Sequence, residues 1–99
     1  MGRYRGKKLL FKGVTLDQLK DDAYLDEALS QAIAQGWWQA DQAARLQFHA
    51  LAERSIRLGK NPGALFTHLV KERKVGQIAQ EDERRALVRM KASRWTRTA

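Results

Sequence analysis

One proline stands in the 99 residues, directly after an asparagine. Asn61-Pro62 is a helix start, because Asn caps a first turn and Pro at the first helical position gives up an N–H that would have no partner there. From that point Leu65, Phe66, Leu69 and Val70 form the buried face of a helix over 62–73. Every other break has to be made by glycine and by polar caps.

Thr15 followed by Gln18 reads as a capping box that opens a short helix over 15–21. The apolar phase then breaks. Leu16, Leu19 and Ala23 share one face, whereas Leu25, Ala28, Leu29, Ala32 and Ile33 fall almost opposite, which predicts a second helix over 23–35, capped by Asp21 or Asp22 and ended by Gly36. A third helix, the central one, spans 40–58 and stops at Gly59. Its stripe is Ala44, Phe48, Leu51, Ala52, Ser55 and Leu58, with Leu46 and Ile56 outside it and able to meet another helix. After a connector containing Gly76, the acids of Gln80-Glu81-Asp82-Glu83 suit the positive end of a helix dipole, and a basic helix runs to about 94. The expected fold is all-α: a compact bundle of four to five short helices in one domain over 15–95, with a basic arm over 1–14, extended or disordered, and a tail over 96–99.

This length suits a single domain with a core of its own. Zero Cys removes disulfides, finger-type zinc sites and thiol nucleophiles, and fits a reducing cytoplasm, where the sequence places the protein. No apolar run is long enough for a membrane span, so no membrane partner is expected.

The net charge of +8 is segregated. Residues 1–12 carry Arg3, Arg5, Lys7, Lys8 and Lys12 without an acid, a charge of +5, whereas residues 13–40 set Lys20 against Asp17, Asp21, Asp22, Asp26 and Glu27, a charge of −4. Residues 61–99 return to +5. Basic ends of this kind call for an anionic partner.

Catalysis has little to work with. His49 and His68 have neither a Cys nor a second His at ligand spacing, Ser30, Ser55 and Ser93 lack a glycine elbow, and no phosphate loop occurs. An acidic first helical turn accounts for Glu81-Asp82-Glu83 without a cation. Neither an enzymatic role nor a cofactor or metal is expected.

The last helix divides into faces. With Arg84 at 0°, Arg85, Arg89 and Lys91 fall at about 100°, 140° and 340°, while Ala86, Leu87 and Met90 gather between about 200° and 300°. The cationic face suits phosphates or base edges, and Arg94, Trp95 and Arg97 extend it with an aromatic of the kind that stacks on single strands. The candidate nucleic-acid-binding set is therefore Arg84, Arg85, Arg89, Lys91, Arg94, Trp95 and Arg97, together with Arg3, Arg5, Lys7 and Lys8 of the arm. Trp37-Trp38 predicts one ring in the core and the other partly exposed. A helix-turn-helix drawn from 62–73 and 80–94 has a connector longer than the usual three or four residues; in it Arg84, Arg85 and Arg89 would lie nearest DNA.

The stretch Lys60-Asn61-Pro62-Gly63-Ala64-Leu65-Phe66-Thr67-His68-Leu69-Val70-Lys71 resembles the Asn-Pro-x-x-aromatic/Leu helix found late in plasmid and phage replication initiators and in DnaD-like primosomal proteins. Lys74-Val75-Gly76-Gln77-Ile78 and the charged helix after it continue in the same style, so the resemblance covers about a third of the chain. It implies a small helical domain used for DNA or primosome contact, and transfers no individual binding residue.

The sequence thus points to a DNA-binding protein of replication or mobile-element maintenance. The alternative is an adaptor or loader module that docks a partner through its acidic 17–27 surface or an exposed Trp38, with Leu46 and Ile56 available for a homodimer.

Overall fold

The computed structural model describes residues 11 and 13–98, with side chains through Lys91. Its organising element is a helix buried on nearly every side. Helices α1 (Leu16–Leu19), α2 (Asp22–Ala34), α3 (Ala44–Leu58), α4 (Pro62–Lys71) and α5 (Gln80–Thr98) follow one another, with a 3₁₀ turn at Val75–Gln77 before the last. Among the described residues no strand forms, and the fold is all-α. Helix α3 packs against each of the other four. Phe48, His49, Ala50, Leu51, Ala52 and Glu53 are buried in succession, as expected of a helix enclosed by its neighbours.

Local chemistry sets the boundaries. Thr15 and Gln18 form the expected capping box, with Thr15 Oγ1 accepting from the Gln18 N–H at 3.2 Å and Gln18 Oε1 from the Thr15 N–H at 3.0 Å. Asp21 caps α2 and Asn61 caps α4. Helix α3 begins later than position 40, because Asp41 Oδ1 accepts the Ala43 N–H at 3.0 Å and holds the preceding residues in a turn. Helix α2 ends in a Schellman motif on Gly36, with φ of 81°. Helix α4 ends at Lys71 rather than 73, also in a Schellman motif, with Arg73 in the left-handed region at φ 50°. Helix α5 continues through Thr98, past the expected end at 94 and into the stretch read as a tail.

An aromatic cluster joins the helices. Phe48 meets Trp38 and Phe66 edge-on, each at 5.3 Å between centroids, and Trp38 Nε1–H donates to the Val70 carbonyl at 2.9 Å, near the end of α4. Phe11 corrects the expected boundary of the arm: it is buried, stacks on Phe66 at 6.0 Å, and meets Trp37 and Phe48 edge-on. Thr67 Oγ1 donates to the Phe11 carbonyl at 3.3 Å. A core residue therefore lies inside the stretch read as an arm.

Gly63 explains how that segment seats. A Cβ there would lie 1.9 Å from the Val14 carbonyl oxygen, so only glycine lets the chain cross the first turn of α4. Gly63→Ala should lower stability by about 3 kcal/mol through forced displacement of that crossing, measured by urea unfolding. A change of a few tenths would show that the segment is not held there.

The contact between α3 and α5 is polar. Asp82, fully buried, lies 2.9 Å from Arg57 Nη2 and 3.6 Å from Arg54 Nη1, and its Oδ2 accepts the Ala79 N–H at 2.9 Å, capping α5. Arg89 of α5 returns the pairing to buried Glu53 of α3. Asp82→Ala leaves two arginines facing a void and should cost about 3 kcal/mol in a thermal or urea melt. A loss typical of an exposed ion pair would refute that role.

Candidate nucleic-acid interface

The side of α5 that faces α3 is chosen by charge and not by apolar content. Asp82, Ala86 and Arg89 turn inward, so the arc expected to be apolar, Ala86, Leu87 and Met90, is displaced. Ala86 is buried, Met90 is half-buried, and Leu87 is 44% exposed. Arg89 leaves the expected cationic face for the same reason.

What remains outward is Arg84, Arg85 and Lys91. Arg84 and Arg85 both reach Glu81 one turn back, Arg85 Nε at 2.7 Å, and hydrogen bonds from Arg84 first and Arg85 second hold the Glu81 carboxyl below its ordinary range. Their side chains are 73% and 55% exposed. Exposed ion pairs of this kind contribute little, so either guanidinium can exchange carboxylate for phosphate at small cost. Beside them a shallow groove of about 480 Å³ is lined by Glu53, Glu81, Arg84, Arg85, Val88 and Arg89. The helix backbone continues through residues 94, 95 and 97, while the side chains of Arg94, Trp95 and Arg97 lie outside the described set, as do Arg3, Arg5, Lys7 and Lys8.

The tryptophans divide as expected, and the deep one is Trp38. Its burial removes it as a docking residue, correcting that element of the adaptor reading. Trp37 is half-buried, edge-on to Phe11, with Lys71 Nζ 5.4 Å from its ring centre. Lys71, Arg73 and Lys74 give a second basic surface at the end of α4, where cations also suit the helix dipole. Helices α4 and α5 both lean on α3, and eight residues containing a 3₁₀ turn separate them, so they do not form the tight unit of a helix-turn-helix.

A partly buried ionic cluster escaped the sequence reading. Asp26 of α2 receives Arg45 Nε at 2.9 Å and lies 3.1 Å from His49 Nε2, while His49 Nδ1 is 3.6 Å from Asp22 Oδ1. Each nitrogen of the buried His49 ring thus faces a carboxylate. The acidic face expected over 17–27 is in part turned inward by this cluster. Its signal lay in spacing: Asp22 with Asp26, and Arg45 with His49, each sit four residues apart and share a helix face. No family model, curated protein or solved structure matches the chain.

Burial raises the Asp26 carboxyl, but hydrogen bonds from His49 and Arg45 outweigh it and lower its pKa from 3.8 to about 2. A depressed carboxyl stabilises the fold above its unfolded value and loses that contribution as pH falls toward 2. Asp26→Asn should cost about 1 kcal/mol near neutral pH, a figure reduced for the solvent that reaches a carboxyl a third exposed. In urea titrations the difference from wild type should close as pH falls below 3.8 toward 2; a constant difference would sink the assignment.

Proposed function

We propose that this chain is a small, non-enzymatic nucleic-acid-binding protein, directed to DNA and serving replication or maintenance of a mobile element. One observation carries the reading: the outer side of α5 presents Arg84, Arg85 and Lys91, with Arg84 and Arg85 resting on Glu81. Arg94, Trp95 and Arg97 follow in the same helix, and Arg3, Arg5, Lys7 and Lys8 add charge at the other end of the sequence. Backbone phosphates are the natural ligand of such a face, with the arginines also able to reach guanine edges. The likeness of the Asn61-Pro62 helix to replication initiators and DnaD-like proteins supports the choice of DNA and of replication.

The test is a salt series of fluorescence anisotropy on duplex DNA, single-stranded DNA and RNA. Engagement of five phosphates gives a slope of log affinity against log salt of about −4.5 on the duplex. Arg84→Ala with Arg85→Ala should weaken binding about tenfold and shorten that slope by about 2. Absence of binding at low salt would refute the reading, and tighter binding to single strands would move the mode from groove to stacking.

A further inference from the structure

Leu87 and Val88 are adjacent on α5 and are 44% and 63% exposed. Because Asp82, Ala86 and Arg89 are the residues turned toward α3, Leu87 projects from a side of the helix away from that contact. Glu83 lies four residues before it and Lys91 four residues after it, and the three fall within about 80° of arc. Along this strip the order is acid, leucine, base.

Neither charge is answered on its own helix. The positions three and four residues from Glu83 are Ala79, Gln80, Ala86 and Leu87, and those from Lys91 are Leu87, Val88, Arg94 and Trp95. Glu81, by contrast, takes both Arg84 and Arg85. Among the described residues neither Glu83 nor Lys91 enters an ion pair.

A strip with a leucine at its centre and opposite charges at equal distances is complementary to its own copy laid antiparallel. A two-fold axis through Leu87 sets leucine on leucine and places each Glu83 opposite the other copy's Lys91. A parallel arrangement would set like charges together. We propose that α5 pairs antiparallel with α5 of a second copy of this chain through Leu87, Glu83 and Lys91. The contact is one helix face, so the dimer belongs to the weak class and loosens with salt. It does not depend on the nucleic-acid reading.

The experiment is sedimentation equilibrium of the nuclease-treated full chain at low and high salt, with far-UV circular dichroism of every variant to separate lost pairing from lost folding. Wild type should self-associate, and Glu83→Lys or Lys91→Glu alone should each raise the dissociation constant about tenfold. The double exchange E83K/K91E, which keeps the net charge, should return it close to wild type. Because the chain has no cysteine, Leu87→Cys can be oxidised cleanly, and should form a disulfide-linked dimer faster than Leu16→Cys, a control of similar exposure at 43%. The proposal is overturned by a wild type that stays monomeric up to roughly 0.5 mM, which would leave the strip to a different partner. It is equally overturned by a double exchange no better than the single ones, or by a Leu87→Cys that crosslinks no faster than the control.

Discussion

The fully buried Asp82 carboxylate dictates where the last helix goes. A charge at that depth has to be matched, and Arg54 and Arg57 can match it only if α5 turns this residue toward α3. The same carboxylate accepts the Ala79 N–H, so the start of α5 and its docking are fixed by one group. Arg89 and Glu53 repeat the pairing with the signs reversed, one on each helix, which sets rotation as well as position. The outward residues of α5, with Arg84, Arg85 and Lys91 interleaved with Leu87 and Val88, are by-products of that choice.

Helix α3 can serve as the centre because it alternates bulk with economy. Phe48 and Leu51 fill the spaces between helices, while Ala44, Ala50 and Ala52 let neighbouring backbones come close. Its polar residues are placed where another element answers them: His49 toward α2, Glu53 toward α5, and Ser55 back onto the Leu51 carbonyl at 2.8 Å. A fully enclosed helix with these residues depends on all of those answers being present together.

Helix starts were the most legible part of the sequence, since Thr15, Asp21 and Asn61 act on backbone groups two or three residues away and require no knowledge of the fold. The stripe on α3 was also readable, Leu58 excepted, because apolar periodicity decides the facing of that helix. Helix α5 defeated the same reasoning. Periodicity ranks faces by apolar content, and the inner face of α5 holds an aspartate and an arginine whose partners lie 25 to 36 residues away. The arginines assigned to a nucleic-acid surface were accordingly divided, with Arg84 and Arg85 left outward and Arg89 drawn in. Phe11 was hidden because the short run Leu9-Leu10-Phe11, set between lysines, shows neither helical nor strand periodicity that would assign it to a core.

The place of Phe11 bears on the order in which the chain can assemble. Its stacking partner Phe66, the Thr67 hydroxyl that donates to its carbonyl, and the Gly63 crossing beneath Val14 all belong to α4, some fifty residues further along. Helices α1 to α3 can meet as soon as they are synthesised and offer Phe11 the rings of Trp37 and Phe48, but its seat is complete only when α4 has emerged. Closing so long a loop carries an entropic cost that the contacts with α4 have to offset. Phe11, which leaves the ribosome ahead of all five helices, thus has its burial completed by one of the later ones.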